Sequence, residues 1–192
     1  MAGEYCIETF TGRALDPFDP DPNMIYAVDI DHALHHINRF GGHAARPISV
    51  AEHSIFVACL LAASGHGPSL QLQGLCHDAA EAYMGDVPRP IKHRFPEFEV
   101  AEERLLRGIF GILGVPWWTS QMRKTVKWAD DIALAYEARE WMPCQIWSPE
   151  KPDPALIEAA KGRMASGPDR WLDWLDQLRT EVCEPPAEVT PD

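Results

Sequence analysis

The chain has 192 residues, of which 46% are hydrophobic, and a formal net charge of −12 at pH 7. This suits one domain with a full hydrophobic core. No apolar run approaches the roughly 18 residues of a membrane span. The negative charge argues against a nucleic-acid surface, which needs clustered Lys and Arg, but it leaves room for a small anionic ligand.

The cysteines and the N-terminal residues indicate the cellular compartment in which the protein is expected. The five cysteines, at 6, 59, 76, 144 and 183, are odd in number and lack a CxxC pair. They predict reduced thiols rather than a disulfide framework. The first residues lack a basic segment followed by an apolar one, so no signal peptide is expected. We therefore expect a cytoplasmic protein.

The N-terminal part is predicted to be an extended arm over residues 1–28 that wraps the domain. Its density of proline, as in Asp16-Pro17-Phe18-Asp19-Pro20, forbids regular helix, and a small β-arm is compatible with the pattern. The first helix is predicted over 29–38, because apolar residues at 30, 33, 34 and 37 share one face. The glycines at 41 and 42 are expected to end it.

The second predicted helix begins at Ser49 and closes at Gly65. Ser49 and Glu52 have the spacing of a capping box, with a hydroxyl at the N-cap and a carboxylate three residues later. His53 lies on or beside the apolar stripe of this helix. A single histidine in that position is more often a core residue than a ligand.

The third predicted helix runs from about residue 70 to 84, with Ser69 as its cap, and carries ionisable groups among apolar ones. His77 and Asp78 are adjacent, Glu81 projects from the same side, and Asp86 follows one turn later. Burying an imidazole and a carboxylate side by side is costly unless they are paired or bind a metal. Both a paired polar face and a metal site remain open from this segment alone.

The remaining chain predicts further helices and connecting loops. Residues 86–92 form a rigid loop whose Arg89 and Lys92 make either an exposed surface or a positively charged wall beside the acidic helix. Further helices are predicted over 99–113, 120–141, 154–164 and 168–181. On the helix over 120–141, Asp130 can face inward, whereas Asp131 is expected to be exposed.

The predicted fold class is all-α, without repeats or a Gly-rich phosphate loop. We divide the chain into the arm, a core over 29–142, a helical extension over 143–183 with a loop at 143–153, and a disordered tail over 184–192. The Trp-rich segment 171–178 could form an interface or pack on its own domain.

Four of these polar residues form a candidate ligand set. His53, His77, Asp78 and Asp130 come from three helices, each on or near an inward face. Two imidazoles and two carboxylates suit one divalent ion of Mn, Co, Fe, Zn or Mg.

The order of these residues resembles the H…HD…D pattern of the HD-domain metal-dependent phosphohydrolases. The similarity is to the 5′-deoxynucleotidase branch and to small phage HD proteins, a group that includes dATP triphosphohydrolases, and it covers roughly residues 9–142. The segments that carry it are Thr9-Phe10-Thr11-Gly12-Arg13, Arg39-Phe40-Gly41-Gly42-His43, Ser49-Val50-Ala51-Glu52-His53-Ser54, His77-Asp78-Ala79-Ala80-Glu81-Ala82, Asp86-Val87-Pro88-Arg89-Pro90-Ile91-Lys92 and Lys127-Trp128-Ala129-Asp130.

The resemblance implies an HD-domain helical bundle and specific roles for residues around the metal. Glu81 and Asp86 match positions that orient the attacking water and contact the sugar hydroxyl, and Arg39 matches a phosphate contact. Phe40 stands where the nucleotidases often carry Trp near the sugar C2′, a departure that puts deoxy selectivity in doubt. His43, Arg89 and Lys92 are further candidates for phosphate contacts.

The implied function is hydrolysis of a nucleotide, as a 5′-deoxynucleoside monophosphatase or a dNTP triphosphohydrolase. The resemblance also implies that the protein forms a homo-oligomer, a dimer or larger, and that it acts in the cytoplasm of a bacterium or a phage-infected cell. The alternatives are a non-catalytic regulatory or interaction module, and an HD phosphodiesterase or alarmone hydrolase.

Overall fold

Helices account for most of the regular structure in the computed structural model, which describes residues 5–144 and 151–183. The expected all-α fold is confirmed. The predicted disordered tail over 184–192 and part of the predicted loop over 143–153 lie outside the described residues. The helices are α1 (Ala27–His36), α2 (Val50–Ala63), α3 (Pro68–Cys76), α4 (Glu81–Met84), α5 (Arg89–Lys92), α6 (Pro96–Leu113), α7 (Ser120–Trp141), α8 (Pro154–Ser166) and α9 (Trp171–Cys183).

The N-terminal arm contains a two-stranded antiparallel hairpin. Strand β1 (Ile7–Glu8) pairs with β2 (Ala14–Leu15). The buried carboxylate of Asp29 in α1 fixes the hairpin, because it accepts hydrogen bonds from the Thr9 hydroxyl, at 3.0 Å, and from the Thr11 backbone N–H, at 2.7 Å. A short 3-10 turn at Pro22–Met24 then leads into α1.

Helix α2 lies at the centre of the molecule. Its residues from Val50 to Leu61 are buried on every side except at Glu52, as expected of a helix without a polar face. It packs against α1, α3, α7, α8 and α9. Ser49 caps it by accepting from the Glu52 N–H at 3.0 Å, but the Glu52 carboxylate pairs with Arg46, so the second half of the expected capping box is replaced by an ion pair.

The C-terminal helices complete the same core. Helix α8 packs on α2, and α9 packs on α3. Trp171 and Trp174 are fully buried, and the Trp171 indole N–H donates to the Leu75 carbonyl at 2.8 Å. The Trp-rich segment therefore packs on its own chain.

Several expected helix boundaries are wrong. The helix predicted over 70–84 ends at Cys76, passes through a tight turn at 77–80 and resumes as α4. The cause is local, since the His77 Nδ1–H donates to the Gly74 carbonyl at 2.7 Å, and the following bonds, such as Ala79 N–H to Cys76 O, span three residues instead of four.

Further corrections concern the ends of helices and the 86–92 loop. Helix α3 is capped by Gly67 with Pro68 at its first position, not by Ser69. Helix α1 ends at His36, before the glycines, because residues 37–39 pair with 48–50 around an Asn38–Ser49 bridge. The 86–92 segment includes the single turn of α5.

Candidate metal centre

Four side chains from α2, the α3–α4 turn and α7 converge at one point. His53 Nε2 lies 3.3 Å from Asp130 Oδ1 and 3.7 Å from Asp78 Oδ2. His77 Nε2 lies 3.1 Å from Asp78 Oδ2 and 4.0 Å from Asp130 Oδ1. Ligand atoms of His53, His77 and Asp130 all lie within 4.8 Å of one another. Asp78 lies beside both imidazoles, but it is not one of these three residues whose ligand atoms are all mutually this close.

The two imidazoles each present an unused nitrogen to this cluster. His77 Nδ1 lies 2.7 Å from a carbonyl oxygen, and His53 Nδ1 lies 2.8 Å from a Glu137 carboxylate oxygen. Both partners accept hydrogen bonds, so Nδ1 carries a proton in each ring, and Nε2 faces the carboxylates of Asp130 and Asp78. The Nε2 atoms of both histidines are buried and have no hydrogen-bond partner among the described residues.

These distances fit a divalent cation. Ligand atoms about 2.1 Å from one ion lie about 3.0 Å apart when adjacent at right angles and about 4.2 Å apart when opposite. The four N–O separations, from 3.1 to 4.0 Å, fall in that range. Imidazoles with a carboxylate form a ligand set of mixed hardness, so the group of His53, His77 and Asp130 could hold a metal ion.

Asp130 and Asp131 separate as the sequence predicts. The Asp130 side chain is 14% exposed and turns Oδ1 towards the histidines. The Asp131 side chain is 49% exposed and pairs with Lys127 and Arg89 on the surface. Arg89 Nη2 also lies 3.6 Å from Asp130 Oδ2, and Lys127 Nζ lies 3.3 Å from the same atom. Two cations therefore stand on the outer side of the metal centre.

Glu137 is a site residue that sequence reasoning missed. It is 2% exposed, and its carboxylate accepts a hydrogen bond from Arg39 Nε at 2.9 Å as well as from His53 Nδ1. A carboxylate behind a ligating histidine fixes the ring and raises its basicity. Its spacing from Asp130 could have identified it, because Glu137 follows Asp130 by seven residues and therefore lies on the same helix face.

The electrostatics favour ionised carboxylates in the cluster. Burial alone would raise the pKa of Asp78 and of Asp130, but His77 and His53 outweigh it and hold both pKa values well below the usual range. Burial and Arg39 lower the pKa of His53, yet Glu137 and Asp130 outweigh them and raise it to about 9. A bound cation would replace the proton of His53 as the partner of these carboxylates.

Glu81 and Lys92 lie next to the cluster. Glu81 is 4% exposed; its Oε1 accepts from Lys92 Nζ at 3.2 Å, and its Oε2 has no partner among the described residues. Burial and the charges of Asp78 and Asp86 raise the pKa of Glu81 well above its usual value. Lys92 also donates to Glu102 at 2.6 Å. The structure therefore places Lys92, an expected phosphate contact, between two carboxylates.

Arg39 adjoins the cluster, and Phe40 and Asp86 lie near Arg39. Arg39 is buried, with Nη1 3.7 Å from Asp78 Oδ2. Phe40 has a φ of 58°, in the left-handed region that non-glycine residues avoid, and its ring centroid lies 5.6 Å from the Arg39 guanidinium carbon. Asp86 is half-buried; burial raises its pKa, while Arg39 opposes that shift.

His43, a predicted phosphate contact, is exposed at the end of the 3-10 turn Arg39–Gly42, with its backbone N–H bonded to the Phe40 carbonyl at 3.1 Å.

A groove of about 830 Å³ runs along α7 beside Asp131. Its lining residues are Ser120, Arg123, Lys124, Lys127, Trp128, Asp131, Ile132 and Ala135.

Comparisons with known proteins place the chain among bacterial relatives. Across the described residues, no helix is both long and apolar enough to cross a membrane. No family model matches the chain. It is 35% identical to "Uncharacterized protein YfdR" of Escherichia coli K12 over 136 residues, covering 70% of this chain and 71% of that protein. It is 31% identical to "Uncharacterized protein RCAP_rcc00048" of Rhodobacter capsulatus over 169 residues, covering 83% and 86%. The chain therefore belongs to the protein family that includes YfdR and RCAP_rcc00048.

Proposed function

We propose that this protein is an HD-type, metal-dependent phosphohydrolase that acts on (deoxy)nucleoside 5′-phosphates. One observation carries the proposal. The buried Nε2 atom of His53 lies 3.3 Å from a carboxylate oxygen of Asp130, and that of His77 lies 3.1 Å from one of Asp78. Burying imidazoles and carboxylates together is costly unless they are paired or bind a metal, and a divalent cation held among these atoms would balance the carboxylate charge.

The chemistry assigns separate tasks to the metal and to the protein. A divalent ion held by the four residues would activate water as a nucleophile and offset the phosphoryl charge. The water oxygen attacks phosphorus, the bond from phosphorus to the leaving oxygen breaks, and that oxygen takes up a proton. Glu81 Oε2, which is buried and unpartnered among the described residues, is available to align the water and accept its proton.

The surrounding cations supply electrostatic stabilisation for the phosphate. Arg39 lies beside Asp78, and Arg89 and Lys127 lie beside Asp130. As negative charge shifts on the phosphoryl oxygens, such fixed cations lower the barrier. Phe40 and Asp86 are the candidates for contacts with the sugar, as the resemblance implies.

Two products are open to this chemistry. Attack at the α-phosphate of a deoxynucleoside monophosphate yields nucleoside and phosphate, whereas the same attack on a dNTP yields nucleoside and triphosphate. The groove beside Asp131 has Arg123, Lys124 and Lys127 on its wall, and this positive charge supports the triphosphate reaction as the second candidate.

A substrate panel tests the proposal. Purified protein is incubated with dNMPs, dNTPs and the ribonucleotides, each with Mn²⁺, Co²⁺, Mg²⁺ or Zn²⁺, and the products are resolved by chromatography. We expect metal-dependent release of phosphate or triphosphate that Asp78→Asn abolishes while the protein stays helical by circular dichroism. Turnover that persists in Asp78→Asn would refute the site. A protein that neither binds metal nor hydrolyses any nucleotide would be a regulatory module instead.

A homo-oligomer also remains part of the proposal. Light scattering of the purified protein at micromolar concentration gives the mass directly. We expect at least twice the 21.5 kDa of one chain. A mass equal to one chain at micromolar concentration would contradict the proposed homo-oligomer.

A further inference from the structure

Glu137 joins two parts of the site that have different tasks. Its Oε1 lies 2.8 Å from Nδ1 of His53, a candidate metal ligand. Its Oε2 lies 2.9 Å from Nε of Arg39, the candidate phosphate contact. The side chain of Glu137 is 3% exposed and that of Arg39 is 10% exposed, so both contacts are shielded from solvent. One carboxylate therefore sets the position of an imidazole and a guanidinium together.

These contacts belong to a closed ring of four ionisable side chains. From Glu137 the ring passes to Arg39, then from Arg39 Nη1 to Asp78 Oδ2 at 3.7 Å, and from Asp78 Oδ2 to His53 Nε2 at 3.7 Å. His53 Nδ1 returns to Glu137. Two members of this ring are candidate metal ligands, and the other two are not. A change at Arg39 can therefore reach His53 through Glu137 as well as through Asp78.

We infer that Glu137 is a positioning residue that holds His53 and Arg39 in one arrangement, so that Arg39, which is not a metal ligand, contributes to metal affinity. The inference rests on the metal centre of the proposed function and goes beyond it, because neither Glu137 nor this role of Arg39 follows from the H…HD…D pattern.

The chemistry explains why a carboxylate is needed at this position. An ionised carboxylate accepts two hydrogen bonds and donates none, which matches the two N–H donors that face it. An amide of the same shape accepts on one side only and presents its own N–H groups to the other donor. Glu137→Gln therefore keeps the volume but leaves one buried donor unpaired, and it frees either the imidazole or the guanidinium to rotate.

Fold stability alone does not require a buried Arg39–Glu137 pair. Replacing both members of a buried ion pair by well-packed hydrocarbon is often neutral or stabilising. Orienting a metal-ligating histidine, in contrast, requires a hydrogen-bond acceptor behind the ring.

The test is a double-mutant cycle on metal affinity in phosphate-free buffer. Titration calorimetry measures the Kd of the full-length protein for whichever of Mn²⁺, Co²⁺ and Zn²⁺ it binds most tightly. We expect Glu137→Gln to weaken binding by about 10- to 100-fold, as for other partners of ligating histidines. Arg39→Lys, which keeps the charge but loses the Nε–H, should weaken it several-fold. The double variant should be no weaker than Glu137→Gln alone.

The controls separate positioning from other effects. Glu140→Gln removes an exposed carboxylate from the same helix and should leave the Kd unchanged. Fully additive effects of Arg39→Lys and Glu137→Gln would show that Arg39 acts through Asp78, and an unchanged Kd in Glu137→Gln would show that Glu137 only packs. Either result overturns the inference. If Glu137→Gln does not fold, Glu137→Asp, which is too short to reach both partners, takes its place.

The experiment also distinguishes this inference from the proposed function. Metal binding that depends on Glu137 and Arg39, but without turnover of any nucleotide, would support the inference and reject the hydrolase. Absence of metal binding in the unmodified protein would overturn both.

Discussion

Asp130 and Asp131 show how one residue step decides the role of a carboxylate. An α-helix turns by about 100° per residue, so adjacent side chains leave the axis in different directions. Ala129 and Val126 are fully buried on the core face of α7, and Asp130 lies at the edge of that face. Its carboxylate reaches the two histidines, whereas that of Asp131 reaches only the surface cations.

This difference predicts the behaviour of a matched pair of variants. Asp130→Asn should weaken metal binding by more than about 100-fold, because even the partners of ligands contribute 10- to 100-fold. Asp131→Asn removes the same charge from the neighbouring position and should change the affinity less than about threefold, since an exposed pair is largely screened by solvent. Titration calorimetry measures both, and equal losses in the two variants would show that net charge alone attracts the cation.

Sequence patterns can identify a site residue when its chemistry is unusual for its place in the chain. An adjacent histidine and aspartate in an apolar segment, as at His77 and Asp78, stand out without a structure. Glu137 does not, because glutamate is common on helices and its partners are 84 and 98 residues away in the sequence. Lys92 is predicted to contact phosphate because of its positive charge. In the structure it pairs with Glu81 and Glu102, and the sequence does not reveal that these segments pack together.

At the scale of elements, the helices could be predicted better than their interruptions. The expected helix over 120–141 matches α7, and Gly114 ends α6 in the left-handed conformation, because amphipathic spacing and glycine stop signals act locally. The break in the 70–84 segment could not be predicted in this way. It depends on the imidazole of His77 reaching the Gly74 carbonyl, which is a choice of rotamer and not of hydrophobic period.

The close approach of α2 and α3 at Gly74 leads to a second prediction. A Cβ at this position would lie 2.5 Å from Leu61 Cδ1 and 3.4 Å from Val57 Cγ1, both in the core. Gly74→Ala should therefore lower the free energy of unfolding by roughly 1–3 kcal/mol. It should also weaken metal binding, because the Gly74 carbonyl holds His77.

A glycine in an open position provides the control for Gly74. Gly162 lies in α8, and a Cβ added there would meet no heavy atom of the described residues within 4 Å. Gly162→Ala should raise the free energy of unfolding by roughly 0.5–1 kcal/mol, since alanine is the better helix former. Urea unfolding of both variants measures the difference, and a stabilised Gly74→Ala would show that Leu61 moves aside without cost.

The attachment of α9 to α1 should depend on pH through His35. The Trp171 backbone N–H donates to His35 Nε2 at 3.3 Å, and Asp31 Oδ1 lies 3.5 Å from the same atom. Burial lowers the pKa of His35; Asp31 opposes this shift, while Arg170, His36 and His32 add to it. The folded protein therefore binds the His35 proton less tightly than the unfolded chain, whose pKa is about 6.5.

The sign of the pH effect follows from that difference. Near and below pH 6.5 the unfolded chain takes up more protons at this position, so stability falls as the pH drops towards the folded pKa. We expect wild type to lose more stability than His35→Gln between pH 7.5 and 5.5 in urea unfolding. His43→Gln, at an exposed histidine, should follow wild type, and identical pH profiles for wild type and His35→Gln would contradict the prediction.

At the scale of the whole molecule, the charged residues of the candidate metal centre come from segments that are far apart in the sequence. Asp78, Glu81, Asp130 and Glu137 are carried by the α3–α4 turn, α4 and α7, with Arg39 as the buried cation among them. In the unfolded chain these groups are far apart, so only the folded state offers a cation a complete set of ligands. Metal binding should therefore stabilise the fold as a whole.

The size of that stabilisation can be stated and measured. A ligand that binds only the folded state adds about 2.7 kcal/mol at a concentration 100 times its Kd, which for a chain of this size raises the Tm by roughly 5–10 °C. Scanning calorimetry with EDTA and with excess Mn²⁺ or Zn²⁺ should show this shift in wild type, and Asp78→Asn should show little of it. An equal shift in Asp78→Asn would mean that the cation responds to the net negative charge of the chain, −12, rather than binding at His53, His77, Asp78 and Asp130.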